Sequence, residues 1–400
     1  MAEDELDLAL ELSRDLNLAA QNDAQKDKAV WEHEDLAQVR MRVLREHSKG
    51  VNSCQFFNGG TKFVTASDDK SVKLWSFGSG GVLHSLENIH DMPVNEARIT
   101  SDGNSFVSCG WDKKVKFWDT QKVAEKWSGK HGGVVTCCKL SHDETMVCSG
   151  SDMDNILKIW DARSGEIIHN LKDHHSSTIT SCIFSPKDDK VITTSMDRAT
   201  KFFDLRTCTT TIQLEGHFNI VSSCAISYDE RKFATTSWDK TVQQWDIATG
   251  MYRSKGPVCM KGQHEGSVSC CNFSKDGQML VTGSYDQSVV VWDTDNHVQK
   301  IKLQGHTDWV NDVCFSDDQK WLLSCSKDET VRLWNVEDTD KIPVVLENRR
   351  SIGLKVIKCS SCGKPFSIAQ LDNFRDVTLC VFCRLQDPGK TWLEINEPEA

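Results

Sequence analysis

At 400 residues the chain is long enough to bury a large core, and two or three domains are the ordinary expectation unless one all-β unit takes most of the length. No stretch approaches the roughly 18 uninterrupted apolar residues of a membrane helix, residues 1–35 are too charged to read as a secretory signal, and seventeen cysteines in that context point to reduced thiols in the cytosol or nucleus. Of the net charge of −11, residues 1–35 hold −8, residues 36–336 only −2 and residues 337–400 −1; with no basic run, neither nucleic acid nor a membrane is expected as a partner.

The first element is "EDELDLALELSRD", residues 3–15, within an acidic amphipathic stretch at 1–20. Wound as a helix, it puts Leu6, Ala9, Leu10, Ser13 and Leu16 on one side. Its acidic first half suits the positive end of the helix dipole. The pattern of acidic residues, then Leu6, Ala9 and Ser13, resembles a ubiquitin-interacting motif. That resemblance implies a helix lying in an apolar groove on ubiquitin, with Ala9 as the small contact, Ser13 supplying a hydroxyl and Leu6 and Leu10 flanking them. The same residues also fit a helix docked on its own chain, or a solvated tail. Residues 21–35 read as a polar linker.

From about 36 to 338 the chain is periodic. Strings such as "KLWSFG", "KIWDAR" and "VVWDTD" place aromatic anchors at Trp75, Trp118, Trp160, Phe203, Trp245, Trp292 and Trp334. Six residues before each anchor stands an aspartate: Asp69, Asp112, Asp154, Asp197, Asp239, Asp286 and Asp328. Four before most of these is a hydroxyl, at Thr65, Ser108, Thr193, Thr235, Thr282 and Ser324; Ser149 is displaced by one extra residue in "SDMDN". Twenty-two before them is a histidine, at His47, His90, His175, His217, His264 and His306, with His131 at 23 because of the same insertion. A repeat of 40–45 residues with four β-rich segments is the signature of propeller blades.

On these residues the chain resembles the WD40 family. The resemblance implies an all-β, seven-bladed propeller in which each His, Ser/Thr, Asp and Trp form a hydrogen-bonded set. Phe203 has no side-chain N–H, so the fourth set is expected to lose its last link. Ser, His and Asp also spell a hydrolase triad, but seven copies tied to an aromatic read as scaffolding, so an enzyme is not expected. Ahead of the first histidine, "AQVRMRVLREH" alternates Val39, Met41 and Val43 with polar residues, as a half-buried strand does. In such propellers this segment completes the last blade and removes the open sheet edges.

The residue before each repeated aspartate should stand on one face of the ring. These are Asp68, Trp111, Met153, Met196, Trp238, Tyr285 and Lys327, and Trp309 should join them. Aromatic and methionine side chains of this kind anchor protein partners, or else pack on neighbouring loops.

Thirteen cysteines lie within the repeats, eight of them in contexts such as "VNSCQF" and "VVTCCKL", and all thirteen read as small buried hydrophobes. The C-terminal tail, 339–400, differs. Cys359, Cys362, Cys380 and Cys383 form two CxxC pairs with seventeen residues between them, the ligand set of one tetrahedral, structural zinc ion. Four ligands fall short of the eight a RING-type ubiquitin ligase needs. The expected function is therefore a non-enzymatic adaptor, a monomeric propeller within a complex, binding proteins or peptides on its face and ubiquitin through its N-terminal helix. A substrate receptor of a ubiquitin ligase assembly is the alternative, and an enzyme working in the channel a second.

Overall fold

The repeats together build seven antiparallel four-stranded sheets. The computed structural model describes residue 39, residues 41–250, 256–260 and 264–337, and the backbone of 355–358 and 365–368. Blade 1 is built from Val51–Phe57, Lys62–Ser67, Val72–Ser76 and Val82–Leu86, bonded in that order from the channel outwards. Blades 2 to 6 follow the same plan; their innermost strands are Val94–Ile99, Val135–Leu140, Ile179–Phe184, Val221–Ile226 and Val268–Phe273. The second strand of every blade is covered on both faces by the neighbouring sheets, and Phe63, Val64, Thr65, Ala66 and Ser67 are all buried. The outermost strands are largely exposed, as at Val82–Leu86.

Blade 7 takes three strands from the end of the repeat region, Val310–Phe315, Trp321–Ser326 and Val331–Asn335, and its fourth from the beginning, Met41–Leu44. Met41 pairs with Trp334 and Leu44 with Val331. A single apolar cluster seals the junction, with Leu44, Val51, Cys54 and Phe63 packed against Cys314, Leu323, Val331 and Leu333. The alternation expected here is only partly kept: Val39 and Val43 are half-buried, whereas Met41 is 43% exposed, because an outermost strand has no sheet beyond it.

Among the described residues there is no helix, and none long and apolar enough to cross a membrane. The expected N-terminal helix, with Leu6, Ala9, Leu10 and Ser13, lies outside the described residues. So do Cys359, Cys362, Cys380 and Cys383. Residues 340–400 form a unit of their own, and it contains a two-stranded hairpin, Lys355–Lys358 paired with Pro365–Ile368. The connection between these strands, 359–364, carries the first CxxC pair. Eleven of the thirteen cysteines in the repeats are buried, but Cys208 is exposed and Cys259 half-buried. The uniform reading of these thiols fails at Cys208 because it sits in a tight turn at φ 55°, between the two outer strands of blade 4.

Candidate partner-binding face and the polar network beneath it

The hydrogen-bonded sets hold the turns of the candidate face in place. In blade 1, Trp75 Nε1 donates to Thr65 Oγ1 at 2.9 Å, Thr65 Oγ1 meets His47 Nε2 at 2.8 Å, and His47 Nδ1 meets Asp69 at 2.8 Å. Four more blades repeat the chain with small variations: His90, Ser108, Asp112 and Trp118; His217, Thr235, Asp239 and Trp245; His264, Thr282, Asp286 and Trp292; His306, Ser324, Asp328 and Trp334. Burial would push the carboxyls of Asp69, Asp239, Asp286 and Asp328 up, but the histidine beside each holds it well below the usual carboxylate range. Asp112, with His90, is lowered for the same reasons.

Blades 3 and 4 depart from this scheme in different ways. In blade 3, Trp160 and His131 both reach Ser149, each at 2.8 Å, but the inserted residue turns Asp154 away to Gly132 N and Ser151. His131 Nδ1 is left buried without a partner. Burial and then Lys158 hold the His131 imidazole down at about 4, against a weak opposing pull from Asp154.

In blade 4, His175 keeps its bonds to Thr193 at 2.8 Å and Asp197 at 2.9 Å. Phe203 donates nothing, so the last link is lost as expected, but another side chain takes its place. His174 turns inwards, and its Nε2 reaches Thr193 Oγ1 at 3.0 Å, while its ring stands edge-on to Phe203 at 6.0 Å. Thr210 Oγ1 lies 3.5 Å from His174 Nδ1, which fits a neutral ring carrying its proton on Nε2. Burial, then His175 and Lys201, lower the His174 imidazole to about 3, so it stays neutral.

A second polar system escaped the sequence reading. Each innermost strand carries a β-bulge after its first residue. A bulge leaves one residue outside its own ladder and re-aims its side chain. Those seven residues are Asn52, Asn95, Thr136, Thr180, Ser222, Ser269 and Asn311, and each donates to the carbonyl of the first strand residue in the next blade, at 2.5–2.8 Å. The last of them, from Asn311 to Val51 O, closes a complete belt around the channel.

Below the belt lies a four-charge cluster lining the channel, a cavity of about 480 Å³, with Glu96 and Arg98 buried and Lys139 and Asp312 half-buried. Arg98 reaches Glu96 at 2.6 Å and, across blade 1, Asp312 at 2.8 Å; Lys139 reaches Glu96 at 2.7 Å. The cluster also binds backbone: Arg98 donates to Cys54 O at 2.8 Å, Cys138 N to Glu96 at 2.8 Å and Cys54 N to Asp312 at 3.1 Å. Burial alone would raise the Glu96 carboxyl; Lys139 and Arg98 instead hold it at about 2.

On the face itself, Trp111, Met153, Met196, Trp238 and Trp309 are exposed, Met153 by 84%, while Tyr285 is half-buried. Tyr285 stacks on Trp309 with ring centres 4.8 Å apart, and Trp238 approaches Tyr285 at 6.3 Å, so three of the expected residues join in one arc across blades 5 to 7. Trp111 is separate and hydrogen-bonds Asn95 at 2.9 Å. Lys327 and Asp68 are spent on each other in an ion pair. A further exposed aromatic, which position before the aspartate could not reveal, is Phe218, directly after His217 and 85% exposed; it has no ring contact with the arc. Its signal was available in "GHFN", an aromatic in the loop that carries the histidine. Among the described residues no group of three metal-ligating side chains is assembled.

The family model described as "WD domain, G-beta repeat" matches residues 38–76, 81–119, 122–161, 165–204, 206–246, 257–293 and 297–335. Each match begins with the outermost strand of one blade and ends inside the next, which is why the first supplies Met41–Leu44 to blade 7. WD repeat-containing protein 88 of Homo sapiens is 39% identical over 386 residues, covering 96% of this chain and 82% of that protein. The U5 small nuclear ribonucleoprotein 40 kDa protein of Dictyostelium discoideum is 28% identical over 162 residues, 40% of this chain and 45% of that protein. The WD repeat domain-containing protein 83 homolog of the same organism is 26% identical over 143 residues, 36% of this chain and 44% of that protein. With seven repeats matched and one relative aligned over 96% of this chain, the chain belongs to the WD40-repeat family, whose propellers generally serve as non-enzymatic scaffolds for protein interaction.

Proposed function

We propose that this chain is an intracellular adaptor that holds a protein or peptide segment against the aromatic arc of its ring. The observation that carries the reading is the contacting set Trp238, Tyr285 and Trp309, with exposed Met196 and Phe218 on blades 4 and 5. Exposed aromatic clusters of this size belong to interaction sites more often than to bare surface. Trp238→Ala and Trp309→Ala should each weaken a client identified by proximity labelling by roughly thirty-fold, the cost of about 2 kcal/mol at an interface anchor. Neither should shift the melting temperature appreciably. Client binding within twofold of wild type in both variants would remove the arc from the function.

Two tail elements complete the proposal. Cys359, Cys362, Cys380 and Cys383 hold one structural zinc ion, a reading supported by the hairpin whose connection carries Cys359 and Cys362. The donor set of four thiolates fits the ion and leaves no open position for catalysis. Metal analysis of the full chain should find about one zinc per molecule, absent after Cys362→Ser with Cys383→Ser; a full complement in that variant would sink the site. The N-terminal helix binds ubiquitin through Leu6, Ala9, Leu10 and Ser13. Isotope-labelled ubiquitin titrated with the full chain should show shifts that vanish with Ala9→Arg, and shifts identical in the two would contradict it.

A further inference from the structure

We infer that the face is dipolar, and that its ligand is an extended peptide acidic at one end, apolar in the middle and basic at the other. The inference rests on the adaptor reading and adds what the bound segment must carry. Arg198 and Lys240 stand one residue beyond the repeated aspartates of blades 4 and 5, in left-handed turns at φ 70° and 69°. Those turns place them beside Met196 and Trp238. Both cations are exposed, and neither makes an ion pair among the described residues.

At the other end of the arc the signs reverse. The matching turn positions of blades 6 and 7 are Gln287 and Glu329. The histidine-bearing loops there add Glu265 and Asp308, the second adjacent to Trp309. Glu265, Asp308 and Glu329 are exposed and have no cationic partner among the described residues. Asp308 merely accepts from Trp309 N at 2.8 Å. Elsewhere on this face Lys327 pairs with Asp68, Lys114 with Asp91 at 2.9 Å, and Lys113 donates to Gly132 O at 3.1 Å, whereas Lys49 and Lys70 of blade 1, outside the arc, have no ion pair among the described residues. Within the arc itself, across blades 4 to 7, the unpaired charges are segregated by sign.

The aromatic geometry also limits the ligand. With Tyr285 and Trp309 stacked at 4.8 Å, no gap remains between those two rings for a lone cation. They present a flat wall suited to aliphatic or aromatic side chains, and the charged recognition falls to the two ends.

The test uses the full chain and short synthetic peptides that share a Leu-Trp-Leu centre. One is flanked by aspartates on one side and lysines on the other; the rest carry aspartates on both sides, lysines on both sides, or neutral residues. Fluorescence anisotropy at low salt should show the dipolar peptide binding about ten-fold tighter than each of the others, the scale of a few exposed charge pairs acting together. Arg198→Glu with Lys240→Glu should cost it about ten-fold and make the lysine-flanked peptide the better ligand; Glu265→Lys with Asp308→Lys should do the reverse. Unchanged melting curves would show that these surface changes leave the ring intact.

Equal affinities for all four peptides, or a dipolar peptide indifferent to both reversals, would overturn the inference, as would binding of none. If all four bind alike and all are lost with Trp238→Ala, the adaptor reading stands and the dipolar ligand falls. A peptide of this chain's own residues 3–15 binding tighter than the dipolar one would also overturn it, and would assign the face to the acidic N-terminal segment.

Discussion

Replacing Arg98 with alanine is expected to destabilise the ring by about 3–5 kcal/mol, read as a fall in the urea midpoint. The cause is not the loss of a salt bridge as such. Glu96 is buried and Asp312 half-buried, and Arg98, itself buried, bonds each of them and also Cys54 O. Removing the guanidinium leaves two carboxylates in the channel wall with Lys139 as the remaining cation. A charge buried without a partner costs far more than the pair contributed while intact. The decisive control removes the charges together. Arg98→Met and Lys139→Met, combined with Glu96→Gln and Asp312→Asn, keep carbonyl oxygens facing Cys138 N and Cys54 N. That fourfold variant should lose less stability than Arg98→Ala alone. If it loses more, the ion cluster is itself a principal source of stability and the desolvation argument is wrong.

His174→Ala is expected to cost about 2–3 kcal/mol, from the lost donor to Thr193 and the space opened against Phe203. Phe203→Trp alone should also destabilise, by about 1–3 kcal/mol, because an indole must enter volume that His174 occupies. Together the two should restore stability to within about 1 kcal/mol of wild type, since the indole N–H then reaches Thr193 as in the other blades. A double variant no more stable than His174→Ala would show that His174 does not substitute for the missing tryptophan. The pH dependence provides a second readout. His174 and His131 are neutral in the fold, held at about 3 and about 4. Unfolded histidine takes up its proton near pH 6.5. Below that pH the unfolded chain binds protons the ring does not, so stability falls as pH drops and is unaffected by these groups above it. Each histidine should contribute a loss of about 2 kcal/mol between pH 7 and 5, and His174→Ala should remove its share.

The ring itself was legible because its period is written in hydrogen-bonding side chains. A buried histidine needs its partners at fixed separations, and those separations survive in the chain as spacings of 22, 18 and 10 residues. The face residues were legible for the same reason, being neighbours of the aspartates. What escaped was anything joining residues of different blades. Arg98 and Asp312 are 214 residues apart, and neither belongs to a repeated pattern. The belt is repeated, but its residues alternate among Asn, Thr and Ser, so no single residue type marks it. His174 was hidden by its neighbour: in "DHH" the spacing selects His175 and says nothing about the residue before it. Cys208 was misread for the converse reason, since residue type alone does not distinguish a strand from a turn.

The belt of seven side-chain-to-carbonyl bonds has no first or last member, although the polypeptide has both. The bond from Asn311 to Val51 O spans the one place where adjacent blades are not consecutive in the chain, and its length of 2.8 Å matches that of Asn52 to Val94 O. The two ends of the ring meet as paired neighbours, Met41 beside Trp334. The architecture therefore does not demand the seam at this position. A circular permutant joined across Met41 and Trp334 and opened in another histidine-bearing loop would keep every inter-blade bond described above. It would carry its two ends at a different blade without altering the face.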